Sequence, residues 1–343
     1  MNNSLLSITP LVALALLSAV PAFAAPAAAL SYHVLQKVAL GGDGGWDYLS
    51  IDANARRVYI SRSSHVMVVD ADTYKVVGDI PNTNGVHGIA VASALGRGFT
   101  SNGRDNSVTI FDLKTLKTLG TVAVGTGPDA ILYEPKTQRV FTFNGRSNDA
   151  TALDAKTGKV LGTIALGGRP EFAAADGSGM VYDNIEDKSE VVAIDAQSLT
   201  LKKRWSLAPS ESPSGLDIDA RHHRLFSVCD GGKMVISDTT LGKFVQTVPI
   251  GDGPDAAGFD PGTRTAFSSN GQDGTLTVAH EGNAEEGFTL QTVSTKKGAR
   301  TMAVDTKTHR VLLVTATPDT ANPGEGRRRN YVPGSFTLLV VGP

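Results

Sequence analysis

A chain of 343 residues with 37 glycines, 19% charged residues and a net charge of −2 has no global field to draw in nucleic-acid phosphates or an anionic membrane surface. Its single cysteine, Cys229, excludes an intramolecular disulfide. Dilute charge with recurring glycine and proline clusters is the composition of many short strands joined by tight turns, and long helices are not expected.

In chain order, the first feature is an apolar run over 11–20, followed by Ala22-Phe23-Ala24, the small-x-small pattern that signal peptidase reads. The expected organisation is a signal peptide over 1–24 and one mature domain over 25–343 in the periplasm, although no Lys or Arg precedes the apolar run. That run is shorter than the roughly 20 residues a membrane-spanning helix needs, and no later segment reaches that length, so no membrane span is expected in the mature chain.

YHVLQKVAL over 32–40 reads as a strand with no partner beside it in sequence. After it the chain repeats itself. Seven repeats begin near 46, 86, 128, 170, 213, 254 and 299, as WDYLSID, VHGIAVA, PDAILYE, PEFAAAD, PSGLDID, PDAAGFD and ARTMAVD. A period of about 40–45 residues points to propeller blades. Each start is followed by a turn, a second strand such as RVYIS or RVFTFN, and a third strand, which ends in Asp70, Asp112, Asp154, Asp195 or Asp238 in five repeats. Recurrent Asp at that place fits a side chain capping the next turn.

The expected fold class is all-β, a seven-bladed propeller with four-stranded blades. The last repeat runs out in its third strand, FTLLVV, so the orphan strand over 32–40 is expected to complete the last blade and close the ring, removing two open edges at once.

The repeat core pairs Pro-Asp at the first strand with an acidic residue at its end and Arg-Val-Phe opening the second strand, as over 127–141. It resembles the YVTN-type, YncE-like periplasmic propellers, and the resemblance covers essentially the whole mature chain. It implies the fold. It implies no single activity, because that family includes scaffolds, binding proteins and enzymes.

Aligned repeats place two rings of polar residues on one face. At the starts of the first strands stand Asp47, His87, Asp129, Glu171, Ser214, Asp255 and Arg300; at the ends of the second strands stand Arg62, Asn102, Asn144, Asn184, Cys229, Asn270 and Thr315. Four carboxylates converging on one channel mouth must take up protons, or hold a cation or an arginine among them. A divalent ion held by Asp129, Glu171, Asn144 and Asn184 is one expectation: Ca²⁺ suits carboxylate and amide oxygens, whereas an inward His87 would favour a transition metal.

Asp47, His87, Glu171 and Asp255 are the candidate catalytic groups. Arg62, Arg300, Asn102 and Asn270 are candidate ligand-binding groups, with Arg327, Arg328 and Tyr331 from an insertion over 316–334 that either folds over the channel or stays a solvated loop. The same residues also fit plain turn chemistry: Asp after Pro bonds nearby backbone N–H groups, and Asn-Gly tolerates left-handed geometry.

Cys229 has no assignable base and reads as a packed small residue. His222, His223 and His309 read as exposed on the opposite face. ALDAKTGKV over 152–160 is similar to the docking motif of quinone-dependent dehydrogenase propellers, but it occurs once and lacks the required Trp, so no quinone is expected. Two functions remain. One is binding of a small anionic molecule, or of a periplasmic or outer-membrane protein. The other is a metal-supported, lactonase-like hydrolase, which the resemblance favours because lactone-processing propellers carry carboxylate and Asn ligands at the channel mouth.

Overall fold

The computed structural model describes residues 1, 31–42, 44–282, 287–322 and 330–343. The expected signal peptide, apart from Met1, and the candidates Arg327 and Arg328 lie outside the described residues. Among the described residues no helix is long and apolar enough to cross a membrane.

Seven four-stranded antiparallel sheets form a ring, which makes the chain an all-β, seven-bladed propeller. In the third blade the strands are Pro128–Glu134, Arg139–Asn144, Asp149–Asp154 and Val160–Ala165, paired in that order. Its two middle strands are buried on both faces and its outer strand is mostly exposed. That gradient follows from stacking blades face to face. Phe141, Phe143 and Ile164 of this blade meet Val181, Ile185 and Val192 of the next, and apolar residues on both sides of a strand replace the simple alternation of a half-buried sheet.

The ring closes as expected. His33–Ala39 pairs antiparallel with Thr337–Gly342, from His33 opposite Gly342 to Ala39 opposite Thr337, and so supplies the outer strand of the last blade. Gln291 of the sixth blade clamps the start of this strand, accepting from the Tyr32 amide at 2.9 Å and donating to the Tyr32 carbonyl at 2.7 Å. On the face opposite the two polar rings, Arg56 of the first blade donates to both oxygens of buried Asp305 in the last, at 2.9 and 2.7 Å, and to Asp72.

The recurrent Asp residues do cap their turns. Asp112 accepts from the amides of Lys114 and Thr115 and from the Thr115 hydroxyl, and Asp70 and Asp154 repeat the pattern. These bonds hold all three carboxyls below the usual carboxylate range.

Two histidines expected to be merely exposed have buried acidic partners. His222 Nδ1 lies 2.6 Å from Asp219, and His309 Nδ1 lies 2.7 Å from Asp260 of the preceding blade, so both pin the face away from the rings.

Candidate functional site

Five of the first-ring residues line a cup of about 580 Å³ at the channel mouth: Asp47, His87, Asp129, Glu171 and Arg300. Each stands at the start of a blade's innermost strand, where the chain turns in from the rim, so the ring is a product of the repeat itself. Asp255 joins it through Arg300, whose guanidinium donates to Asp255 and, at 2.9 Å, to Asp47 Oδ1. Asp47 Oδ2 lies 2.7 Å from His87 Nδ1, and Asp129 Oδ1 approaches the same nitrogen at 3.6 Å. Ser214 instead donates to the Pro254 carbonyl.

The charges sort themselves through these contacts. Burial pushes the Asp47 carboxyl up, but the His87 hydrogen bond and the Arg300 charge outweigh it and hold the group below its ordinary value. Burial lowers His87, and the Asp47 hydrogen bond with the nearby Asp129 charge reverses this, raising it to about 9. Asp129 is raised to about 6, chiefly by burial. Glu171 is raised to about 9 by burial, then by its hydrogen bond to Glu186 and the charge of Asp129. Carboxylates that converge here therefore share protons and an arginine, one of the outcomes expected from their repulsion.

Beneath the ring an aromatic pair meets across the channel axis. Tyr48, next after Asp47, packs against the third and fourth blades, and Phe172, next after Glu171, packs against the sixth and seventh. Their rings stack at 4.3 Å across the axis. Burial and the four carboxylates above push the Tyr48 hydroxyl well above its ordinary range.

The second ring has a different role from the one expected. Asn102 donates to Ser107 and Thr109 and accepts from Thr100, while Asn270 donates to Thr275 and Thr277 and accepts from Ser268. Asn144 donates to Asp149 and Thr151. All three are buried, with negative φ, and stitch the second strand to the third within a blade. They are neither left-handed turn formers nor ligands facing the cup. Asn184 is not even in the ring: strand register places Ile185 opposite Pro170, where Asn144 lies opposite Pro128. Asn184 donates instead to the carbonyls of Ser214 and Gly215 in the next blade. The expected metal set thus reduces to Asp129 and Glu171.

Arg62 is buried as well. Its guanidinium donates to the carbonyls of Gly41, Gly44 and Gly45 and lies 3.6 Å over the Phe336 ring, fixing the glycine-rich segment before the first blade. Cys229 is fully buried and burial pushes its thiol up to about 12, so it is a packing residue. Tyr331 packs on Trp46, which lines the cup, at 4.8 Å, and the insertion stem is tied by a bridge between Pro318 and Tyr331.

Three arginines of the cup escaped the sequence reading: Arg104, Arg146 and Arg169. Arg104 and Arg146 follow the Asn-Gly pairs of consecutive blades, and that repeated Asn-Gly-Arg was the available signal. Each lies on a glycine, Gly85 or Gly127, whose positive φ and missing Cβ make the bed; an added Cβ would sit 2.6 or 2.8 Å from the arginine stem. In the fourth blade Arg169 and Glu186 replace the two glycines that face each other in the third, Gly127 and Gly145, and form an ion pair.

Comparison with known proteins shows the fold. The structure is similar to a chain described as Kuenenia stuttgartiensis hydrazine synthase (TM-score 0.71, 15% identity, covering 79% of this chain and 92% of that one). It is equally similar to the WD40 repeats of RRP9 (TM-score 0.70, 10% identity, 93% of this chain and 99% of that one). No family model and no curated protein sequence matches the chain.

Proposed function

We propose that the chain is an exported binding protein of the YVTN-type, YncE-like kind, which holds a small anionic molecule in the cup at its channel mouth. The observation that carries this reading is the pair Arg104 and Arg146. Both are exposed, both line the cup, and among the described residues neither has a carboxylate partner, whereas Arg169 and Arg300 are already paired. Planar guanidinium groups on adjacent blades suit a carboxylate or phosphate, and a rigid ring presents them at little ordering cost. The apolar run over 11–20 and Ala22-Phe23-Ala24 support export.

Calorimetric titration of the mature protein with citrate as probe tests the reading, in EDTA-treated buffer and at two salt concentrations. Salt-sensitive binding that weakens at least tenfold in an Arg104→Ala, Arg146→Ala double variant supports it. Absent binding, or binding that the double variant leaves unchanged, overturns it and turns the search to a protein partner.

A metal-supported, lactonase-like hydrolase stands second. Asn144 and Asn184 do not supply its ligands, but Asp47, His87 and Asp129 bring ligand atoms within 4.8 Å of one another. Turnover in a lactone panel, lost on treatment with a chelator, would move this reading ahead of the first.

A further inference from the structure

We infer that Asp47, His87 and Asp129 form a binding site for a transition-metal ion of the zinc type at the floor of the cup. This assignment does not depend on the anion reading.

Two carboxylate oxygens face one imidazole nitrogen, Asp47 Oδ2 at 2.7 Å and Asp129 Oδ1 at 3.6 Å from His87 Nδ1. That nitrogen carries at most one proton, which makes one good hydrogen bond and leaves the second oxygen underused. A divalent cation satisfies all three atoms together. Zinc bonds of about 2.0–2.2 Å in a tetrahedron place ligand atoms roughly 3.3–3.6 Å apart. The three atoms here lie within 4.8 Å of one another, so small side-chain rotations suffice.

The surroundings suit such a site. Arg300 holds Asp47 by its other oxygen, Oδ1, and is itself anchored by Asp255, so Oδ2 stays directed at His87. Supporting contacts of this kind orient ligands in metal sites generally. On the far side of the imidazole, Gly103 leaves room: a Cβ there would fall 2.8 Å from Cδ2 and Nε2 of His87. The three side chains are between 19% and 36% exposed, all to the cup, so an ion can enter and a water or an anion can complete its coordination. An imidazole nitrogen with two carboxylates favours zinc, cobalt or copper over calcium or magnesium, whose shells are built from oxygen.

A second cluster, Asp219, His222 and Glu281 on the opposite face, also brings three ligand atoms together. Its two carboxylates are buried, 3% and 2% exposed, where those of the first cluster open to the cup, so it serves as the internal control.

The experiment is calorimetric titration of EDTA-stripped mature protein with Zn²⁺, with Co²⁺ absorption as a readout of coordination geometry, on protein whose thermal unfolding shows it folded. The expected result is one ion per chain, with affinity reduced at least 100-fold in His87→Gln, at least tenfold in Asp129→Asn, and unchanged in His222→Gln. The Arg104→Ala, Arg146→Ala variant, which tests the anion reading, should bind Zn²⁺ normally. Failure of wild-type protein to bind Zn²⁺ at millimolar concentration, binding that survives His87→Gln, or binding lost in His222→Gln would each overturn the assignment.

Discussion

Tyr48 of the first blade and Phe172 of the fourth stack across the channel axis with ring centroids 4.3 Å apart, each packed on blades that lie on the far side of the ring. Neither residue touches its partner through the sheet of its own blade, so the pair ties together parts of the ring that strand pairing leaves unconnected. Phe172→Ala should lower stability by about 2–3 kcal/mol, toward the low end for a phenylalanine truncation because the ring is only half-buried. Chemical denaturation measures this. The same variant should return the Tyr48 hydroxyl toward its ordinary range, since water would then reach it; an ultraviolet titration of the phenol reads that shift.

The latch between the last blade and the first is electrostatic at one face. Asp305 is buried and both its oxygens accept from Arg56, which holds its carboxyl below the ordinary value against the opposing effect of burial. A depressed carboxyl contributes stability that is fully present above the unfolded value of about 3.9 and is lost as pH falls through the folded value. Arg56→Ala should cost about 3 kcal/mol at neutral pH by stranding that charge, and should move the acid-unfolding midpoint to higher pH. Circular dichroism across an acid series checks both.

Asp183 is a defect with a traceable origin. It is fully buried, neither oxygen has a hydrogen-bond partner among the described residues, and burial pushes its carboxyl well above the ordinary value. Thr100 and Ser268 occupy the same register in other blades and donate to Asn102 and Asn270; in the fourth blade Ile185 stands where that asparagine would be. For a raised carboxyl, stability is greatest at low pH and falls as pH rises from about 3.9 toward the folded value. Asp183→Ser should therefore stabilise the protein by about 1–3 kcal/mol at neutral pH and flatten that decline. Unchanged or reduced stability at pH 7 in the variant would contradict this.

Gly103 separates the floor of the cup from its scaffold. An alanine Cβ would meet the His87 ring at 2.8 Å and the Pro128 carbonyl at 3.2 Å. Gly103→Ala should shift the His87 imidazole and weaken Zn²⁺ binding by tenfold or more, with a stability loss of about 1–2 kcal/mol. Zinc titration and thermal unfolding on the same preparation separate the two effects.

The seven blades, their closure and the first polar ring could be read from the sequence because they follow from period, strand pattern and an unpaired terminal strand. The second ring could not be read by dipeptide chemistry. Asn-Gly is a turn signal locally, but each asparagine bonds across to the third strand, to a serine, threonine or aspartate five residues on that lies opposite it and to a threonine seven residues on that lies diagonally, and that bonding decides its geometry. Asn184 was misplaced because the fourth blade runs one residue shorter between its Pro-Glu start and its third strand and carries Ile185 at the strand end, a shift that only pairing reveals. The arginines at 104 and 146 were visible as a repeat but carried no weight until their glycine beds placed them over the cup.

The aromatic pair lies between the cup and the far face of the ring, so the two faces carry different chemistry. The cup opens among the loops around the mouth, so substitutions there can change recognition while the far face stays as it is. The histidine–carboxylate and arginine–carboxylate pins on the far face are free in turn to set stability, and drift there leaves the binding chemistry untouched.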